Sequence, residues 1–203
     1  MAKIAWVFPG QGSQAVGMGV DLLETEIAQK RFAQAEAILG WSVPEVCQSE
    51  EDKVSSTLYT QPCLYVVESI LADLLKESGC APDFVAGHSL GEYVALYAAG
   101  VFDFEAGLKL VKRRSELMSQ ASEGMMAALM GFKRPELEDI LSTTDGAVLA
   151  NDNSPGQVVI SGTPEGVQSV MDSIKAKRKV ALNVSGAFHS PLMAAAANAY
   201  QPI

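Results

Sequence analysis

The stretch VAGHSLGEYVAL, residues 85–96, decides the fold, because its G-x-S-x-G pattern joins an apolar run to an amphipathic one. Residues 84–86 predict the end of a buried strand, and Leu90 and Val94, four apart, predict the inner face of a helix. In a nucleophile elbow the two glycines relieve a strained turn, and Ser89 stands at a helix N-terminus whose N–H groups can bind an oxyanion. An ordinary strand-to-helix turn is the alternative interpretation.

The composition is that of a globular chain. Its 203 residues are 48% apolar and 19% charged, enough for one domain that carries a smaller one. No membrane span or secretory signal is visible, so we expect a cytoplasmic protein, or one of a plastid or mitochondrial matrix in an organelle form. The net charge of −9 disfavours nucleic acid as a partner. Three cysteines without paired or metal-like spacing predict reduced thiols and no metal site.

The first apolar run, Ile4–Phe8, predicts a strand that leads into the glycine-rich loop 10–19. This loop satisfies the G-x-G-x-x-G/A fingerprint of dinucleotide-binding folds, which require a second strand ending in an acid about 20 residues further on. Residues 22–39 instead have a helical period, so we reject that function. The loop can still supply an oxyanion donor from the backbone of Gln11.

The periodicity on either side of Ser89 predicts an α/β layer. Helices are expected over 62–76, capped by Thr60, and over 104–121, capped by Asp103. Strands alternating with helices in this way favour a largely parallel sheet.

From Met125 onward the predicted order changes to βαββαβ, the split pattern of a ferredoxin-like subdomain. Its strands and helices are expected at 126–132, 135–141, 147–150, 157–161, 164–175 and 180–184. We therefore expect residues 1–122 and 185–203 to form a core domain into which 123–184 is inserted.

Arg114 lies on an apolar stripe of the 104–121 helix, whereas Arg113 has polar neighbours and belongs in water. A guanidinium directed toward a core needs an anionic partner, because an unpaired buried charge is costly. Arg114 is therefore either a structural residue paired with one of the acids of the chain or a binding residue for a carboxylate.

Two histidines are candidates for a general base. His88 is adjacent to Ser89 and points to the other side of the chain, which predicts a structural role. His189 lies on a loop directly before a helix start at Ser190, and it is the convincing base for Ser89. Without a serine elbow, a lone loop histidine would carry little meaning.

Six successive motifs resemble those of the malonyl-CoA:acyl carrier protein transacylase family, the acyltransferases of fatty acid and polyketide synthesis. They are VFPGQGSQ at 7–14, TQP at 60–62, GHSLGEY at 87–93, the arginine of the following helix, NSPGQVVISG at 153–162 and GAFHSPLM at 186–193. The resemblance runs from the first strand to the end of the chain. It implies an α/β-hydrolase-like core with a parallel sheet and an inserted ferredoxin-like subdomain.

The resemblance also implies roles for the reacting groups. Ser89 is expected to be the acylated nucleophile and His189 its base. The backbone N–H groups of Gln11 and Leu90 are expected to form the oxyanion hole.

Two further residues match the part of the family's site that binds the acyl group. Arg114 matches the arginine that holds the malonyl carboxylate, which favours the second interpretation given above. Phe188 resembles the bulky residue of malonyl-selective members, which excludes an α-methyl branch at a cost of about 1–3 kcal/mol.

The implied reaction is a ping-pong transfer of malonyl from malonyl-CoA to the phosphopantetheine thiol of acyl carrier protein. It requires no cofactor and no metal. Carrier proteins of this family are acidic, so we expect docking on the basic clusters of the chain. One cluster consists of Lys109, Lys112, Arg113 and Arg114, and the other of Lys175, Lys177, Arg178 and Lys179.

The chain departs from the family at its end, because family members continue well beyond the helix that follows the histidine. We expect the chain to be a fragment or a short form, weakly active and prone to associate. Two rival functions stay open. A serine esterase or thioesterase would need an acid that orients the imidazole, and none is singled out between Ser89 and His189. The other is an inactive module that binds carrier protein.

Overall fold

The computed structural model of the chain describes residues 2–121 and 123–201. These residues form two compact units, of which the first ends at Glu116 and the second begins at Leu117. The predicted α/β class is confirmed, because the first unit contains a parallel sheet and the second an antiparallel one. Within the described part of the chain, no helix has both the length and the apolar character that a membrane crossing requires.

The division into a core of 1–122 with 185–203 and an insert of 123–184 stays a prediction. Three residues at these boundaries, Met1, Ser122 and Ile203, lie outside the described residues.

The first unit packs helices around a short parallel sheet. Its elements are β1 (Ala5–Phe8), α1 (Glu26–Leu39), α2 (Val43–Cys47), α3 (Thr57–Glu77), β2 (Phe84–Gly87), α4 (Gly91–Ala98) and α5 (Phe104–Ser119), whose last residues belong to the second unit. Sequence analysis had predicted all of these except α2, a five-residue helix within a polar stretch. The apolar core lies between the sheet and the helices, with α3 against α1, α2 and α4.

The two faces of this sheet differ in exposure. Ala5 pairs with Phe84 and Val7 with Ala86, so these four side chains share one face. Val7 is 74% exposed and Phe84 62% exposed, while Phe8 on the opposite face is buried. Parallel sheets are usually covered on both faces, and this one is covered on one.

Helix α3 begins earlier than predicted. Ser56 is its N-cap residue, and its carbonyl oxygen accepts hydrogen bonds from the N–H groups of Tyr59 and Thr60, both at 2.8 Å. The predicted cap, Thr60, is wrong: its hydroxyl donates to the carbonyl oxygens of Val54 and Ser56 at 2.6 and 2.9 Å. Pro62 suggested a helix start, because proline is common in the first turn, but here it lies inside the helix.

A charged network fixes α1, α3 and α4 to one another. Arg31 in α1 donates from Nε to Asp73 in α3 at 2.8 Å and from Nη2 to the Tyr97 hydroxyl in α4 at 2.7 Å. Tyr97 in turn donates to Asp73 at 2.6 Å. Burial and the neighbouring Asp73 raise the pKa of Tyr97, so its hydroxyl stays protonated and keeps donating. The network thereby ties the C-terminal ends of α3 and α4 to α1.

The second unit is the predicted βαββαβ subdomain. Its elements are β3 (Met125–Phe132), α6 (Arg134–Thr143), β4 (Ala147–Ser154), β5 (Gln157–Gly162), α7 (Pro164–Ser173) and β6 (Ala176–Ala181), followed by α8 (Ala194–Tyr200). The strand order β4-β5-β3-β6, antiparallel throughout, is that of a ferredoxin-like sheet. One face of the sheet packs on α6 and α7, and the other carries a separate apolar cluster.

Strand β6 lies earlier in the chain than predicted. The bounds expected for this strand, 180–184, are wrong, because the observed strand runs from Ala176 to Ala181 and includes Lys177, Arg178 and Lys179. Periodicity favoured the apolar positions further along the chain, but β6 is an edge strand and three of its exposed positions are cationic. Lysines in an edge strand allow it to pair with its neighbour in the sheet, here β3, and discourage pairing with another chain at the open edge.

Glu68 is a buried carboxyl group in α3. Its side chain is 6% exposed, and neither carboxyl oxygen has a hydrogen-bond partner among the described residues. Burial raises its pKa from an ordinary value of 4.5 to about 8, because the charged form is desolvated. The folded chain therefore keeps Glu68 protonated at neutral pH.

This raised pKa predicts a stability that declines with pH. Between pH 4.5 and about 8 the unfolded chain gives up the Glu68 proton and the folded chain retains it, so the free energy of unfolding falls by up to about 1.4 kcal/mol per pH unit. Glu68→Gln should remove this decline, and thermal melts at pH 5 and pH 9 measure it. Glu77→Gln, at an exposed position at the end of the same helix, is the control and should leave the decline in place. Equal declines in all three proteins would contradict the prediction.

Candidate functional site

Ser89 stands at the bend between β2 and α4 in a strained backbone conformation. Its φ of 53° lies in the left-handed region, which residues other than glycine rarely adopt. Among the described residues, only Asp52 and His189 share this feature without being glycine. Such strain persists where surrounding structure enforces it, and it concentrates at functional sites. The bend has the strand, turn and helix that the nucleophile elbow requires.

Close backbone packing enforces the bend. A Cβ atom added to Gly91 would overlap the carbonyl oxygens of Phe8 and Pro9, and one added to Gly87 would overlap the backbone of Gly91. The N–H of His88 donates to the carbonyl of Phe8 at 2.9 Å. The elbow therefore rests directly on the end of β1, which only glycines at these positions allow.

The two predicted oxyanion donors are the backbone N–H groups of Gln11 and Leu90. Leu90 is the N-cap residue of α4, and Gln11 lies in the turn after β1. Within residues 2–121 and 123–201, the N–H groups of these two residues are absent from the backbone hydrogen bonds to carbonyl oxygens that form the turns and caps. The Gln11 side chain donates to Thr57 Oγ1 at 3.0 Å, which ties this turn to the start of α3. Donors held in this way cost no reorganisation when negative charge develops nearby.

Arg114 directs its guanidinium to the elbow. Nη2 donates to Ser89 Oγ at 3.0 Å, and Nη1 donates to Gln61 Oε1 at 2.5 Å. The guanidinium carbon lies 5.7 Å from the centre of the Tyr93 ring, within the range of a cation–π contact. Arg113, by contrast, is on the outer side of α5 and forms a 3.8 Å ion pair with Glu116. Helix α5 therefore separates the two arginines as its apolar stripe predicted.

Gln61 is a site residue that sequence analysis did not single out. It is fully buried in α3, one residue before Pro62, and its amide oxygen accepts the hydrogen bond from Arg114. A polar side chain on the mostly apolar buried face of this helix was a signal that could have found it, although α3 also buries other polar residues such as Glu68 and Ser69. A buried amide normally has a partner, and here that partner is a cation from another helix.

His88 and His189 occupy different surroundings. The imidazole of His88 is exposed and lies beside Gly10. His189 is exposed in a turn of the second unit, with φ of 57°. Ser190 holds that turn, since its hydroxyl donates to the Ala187 carbonyl at 2.6 Å and accepts from the Leu192 N–H at 3.2 Å. These hydrogen bonds of Ser190 thus hold His189 in the left-handed backbone conformation, which is unfavourable without support from the surrounding structure.

Phe188 precedes His189 and is buried. It is 5% exposed and belongs to the apolar cluster on the face of the ferredoxin-like sheet opposite α6 and α7, with Met126, Ala128 and Val159. A ring packed in this way has few alternative rotamers, which suits a residue that limits the size of a neighbouring group.

The three cysteines differ in exposure. Cys47 and Cys63 are buried thiols, and Cys80 is exposed. The hydrogen bond with Cys47 and burial both raise the pKa of the Cys63 thiol, which keeps it uncharged and unreactive. Among the described residues, no group of three or more His, Cys, Asp or Glu side chains is arranged to hold a metal ion.

Comparison with known proteins gives a consistent family. The acyl transferase domain family matches residues 5–201. A malonyl CoA-acyl carrier protein transacylase of Synechocystis is 65% identical over 192 residues, which is 95% of this chain and 66% of that protein. The chain therefore spans slightly less than two thirds of the length of this relative.

Comparison with solved structures indicates the same family. The crystal structure of the malonyl-CoA:ACP transacylase of Synechocystis sp. PCC 6803 has a TM-score of 0.97 and 62% identity, covering 99% of this chain and 69% of that one. A malonyl-transacylase in complex with its acyl-carrier protein, from a type II polyketide synthase, has a TM-score of 0.92 and 36% identity, covering 98% of this chain and 68% of that one. Both likenesses extend over nearly the whole described chain.

The packing at the elbow predicts the effect of a single methyl group. By helix propensity alone, Gly91→Ala should stabilise α4 by about 1 kcal/mol. Its Cβ would, however, overlap fixed backbone atoms, which should lower the free energy of unfolding by about 1–3 kcal/mol or more. We expect a lower melting temperature and slower reaction of Ser89 with a fluorophosphonate reagent. The matched control is Gly156→Ala, whose Cβ would have no neighbour within 4 Å and which should change neither. A Gly91→Ala protein as stable and as reactive as the parent would contradict this account.

Proposed function

The chain belongs to the acyl transferase domain family, and from that premise we propose that it transfers malonyl from malonyl-CoA to the phosphopantetheine thiol of an acyl carrier protein. The product would feed fatty acid or polyketide synthesis. The observation that carries the proposal is the 3.0 Å contact between the Arg114 guanidinium and the hydroxyl of the strained Ser89. A cation beside a nucleophile suits an acyl group that bears its own carboxylate.

Ser89 is the proposed nucleophile and His189 its general base. In the first half-reaction His189 takes the Ser89 proton, and Oγ attacks the thioester carbonyl. The backbone N–H groups of Gln11 and Leu90 stabilise the resulting oxyanion. The C–S bond then breaks, and CoA leaves as a thiol with the proton from His189, so malonyl remains esterified to Ser89.

The second half-reaction reverses these roles. His189 accepts the proton of the carrier's phosphopantetheine thiol, and the sulfur attacks the malonyl ester. Ser89 leaves with the proton from His189, and malonyl is then a thioester of the carrier. Every step uses side chains and backbone groups of this chain, so the proposed route requires no cofactor.

Arg114 and Phe188 are the proposed determinants of the acyl group. Arg114 would hold the free carboxylate through paired hydrogen bonds, which aligns the thioester carbonyl with Ser89. Phe188 would exclude an α-methyl branch, a discrimination of about 1–3 kcal/mol. Its burial in an apolar cluster supports a fixed ring position.

Intact-mass analysis tests the proposed roles. Incubation with malonyl-CoA should add one malonyl group to the chain, and holo-carrier protein should then remove it as malonyl-carrier. Ser89→Ala should abolish the adduct, and His189→Ala should slow its formation by about a hundredfold or more. Arg114→Ala should raise the KM for malonyl-CoA by about tenfold or more, because a charge-assisted hydrogen-bond pair is lost.

Two outcomes would reject the proposal. Release of free malonate in place of malonyl-carrier would indicate a hydrolase. Absence of any adduct on Ser89, with carrier protein still bound, would indicate a binding module.

The basic residues of β6 are the proposed docking surface for the acidic carrier. Lys177, Arg178 and Lys179 are exposed, and none of them forms an ion pair with another described residue. The chain carries a net charge of −9, so an acidic partner would be repelled without such a local cationic surface. The Synechocystis relative is named for acyl carrier protein, which supports this choice of partner.

Charge reversal tests the docking surface. Lys177→Glu/Arg178→Glu should raise the KM for carrier protein about tenfold and leave malonylation of Ser89 by malonyl-CoA unchanged. Lys179 is left intact because its Nζ donates to the carbonyl of Met171. The control, Lys30→Glu/Lys53→Glu, reverses two exposed lysines of the first unit that lie outside both basic clusters, and it should leave both half-reactions unchanged. An unchanged KM in the β6 variant would show that the carrier docks elsewhere.

A further inference from the structure

We propose that Thr57 is a positioning residue for this reaction. Its hydroxyl accepts a hydrogen bond from the side chain of Gln11 at 3.0 Å, and this bond holds the backbone N–H of Gln11 where it can stabilise the oxyanion. The inference rests on the proposed function, because it takes the Gln11 N–H as an oxyanion donor. Thr57 acts through Gln11 and not on the reacting atoms.

The turn that carries Gln11 is fixed to the elbow on its N-terminal side. A Cβ atom added to Gly10 would overlap the carbonyl oxygen of His88, so the backbone of Gly10 packs directly on the residue before Ser89. The carbonyl oxygen of Gly10 accepts hydrogen bonds from the N–H and the hydroxyl of Ser13, at 3.2 and 2.8 Å, which closes the turn. The chain therefore reaches Gln11 from a fixed point.

The chain has more freedom immediately after Gln11. Gly12 has a φ of 110°, and a Cβ atom added to it would have no neighbour within 4 Å. Its N–H donates to the side-chain oxygen of Gln14 at 2.7 Å, at an exposed position. Within residues 2–121 and 123–201, the bond to Thr57 is the one hydrogen bond that ties residues 10–14 to a helix. Because glycine permits many backbone conformations, the Gln11 side chain restrains a peptide that packing leaves loose.

Thr57 provides a rigid attachment point for that side chain. It is the first residue of α3 and is buried, so its hydroxyl has few alternative positions. The segment before it is held by Thr60, whose hydroxyl donates to the carbonyl oxygens of Val54 and Ser56. A bond to this part of α3 therefore fixes Gln11 relative to the body of the first unit.

The same face of α3 also reaches a second group beside Ser89. Gln61 lies one helical turn beyond Thr57, and residues four apart share a helix face. Its amide oxygen accepts a hydrogen bond from Arg114, whose other terminal nitrogen contacts Ser89. The start of α3 thus holds the Gln11 turn with one side chain and Arg114 with another. Loss of the Thr57 hydroxyl should leave the second attachment in place.

Loss of this hydroxyl should therefore slow the chemical step and spare substrate binding. Without its acceptor, the Gln11 side chain no longer ties the turn to α3, and the backbone N–H loses its fixed direction. A donor stabilises an oxyanion to the extent that it is in position before the charge develops. Complete removal of such a donor slows a reaction by about a hundred- to a thousandfold, so partial misplacement should have a smaller effect.

Substitutions of Thr57 test the proposal through the rate of Ser89 malonylation, measured by intact mass after rapid quenching. Thr57→Val removes the acceptor, so it should slow the reaction at saturating malonyl-CoA by about five- to tenfold. The malonyl-CoA concentration that gives half the maximal rate should stay unchanged. Thr57→Ser keeps the hydroxyl and should restore most of the parent rate. The control, Ser78→Ala, removes an exposed hydroxyl at the far end of α3 and should change neither quantity.

Gln11→Met provides the second arm. It removes the side-chain donor and retains the backbone N–H at position 11. It should slow malonylation as much as Thr57→Val does, and the double variant should be no slower than either, because both substitutions break the same bond. Thermal melts identify any variant that does not fold. Gln11 is only half-buried, so Gln11→Met decides the matter if Thr57→Val prevents folding.

A fluorophosphonate separates this inference from the proposed function. Its reaction with Ser89 develops negative charge on a phosphoryl oxygen and needs neither malonyl-CoA nor carrier protein. The variants should rank in the same order for this reaction. Failure of the proposed function would appear as absence of malonyl transfer to the carrier, with that order preserved.

Three results would overturn the role of Thr57. They are a Thr57→Val chain that reacts as fast as the parent, effects of Thr57→Val and Gln11→Met that multiply in the double variant, and a higher half-saturating malonyl-CoA concentration at an unchanged maximal rate. Slower reaction in both single variants, with no further loss in the double variant and recovery in Thr57→Ser, would support it.

Discussion

The strained bend at Ser89 is the constraint on which the rest of the first unit depends. A left-handed conformation at a residue with a side chain is unfavourable by itself, and it persists because Gly87 and Gly91 bring the bend into direct backbone contact with the end of β1. The turn that carries Gln11 begins at that same end of β1. One close contact between two chain segments therefore sets the position of the hydroxyl and of the loop beside it.

The helices of the first unit bring a cation to this bend. Gln61 near the start of α3 and Arg114 in α5 meet beside Ser89. The hydrogen bonds among Arg31, Asp73 and Tyr97 link α3 and α4 to α1. A guanidinium suits this position because it offers several donors in a fixed plane, so it can bind a buried amide and a hydroxyl at once. Lysine has a single point of charge and could not divide its contacts in the same manner.

The second unit carries the other two predicted site residues, Phe188 and His189, beside a sheet. Its ferredoxin-like sheet packs helices on one face, and on the other face it holds the buried Phe188, next to the exposed imidazole of His189. The turn that carries His189 is also in the left-handed region and is held by the hydroxyl of Ser190. The candidate nucleophile and the candidate base thus stand on enforced turns, each next to a rigid element, which limits the entropy lost when they react.

By itself the sequence determined the elements whose signals are local: the elbow glycines, the cap at Asp103, the βαββαβ order and the separation of Arg113 from Arg114 on α5. These features follow from periodicity and from backbone preferences that act within a few residues. It did not determine the start of α3, the position of β6 or the role of Gln61. Those depend on hydrogen bonds of Thr60 to an earlier turn, on strand pairing with β3, and on an arginine 53 residues away. Only the tertiary structure decided that Arg114 reaches the Ser89 hydroxyl, because no local preference links two side chains on different helices until packing brings them within 3.0 Å.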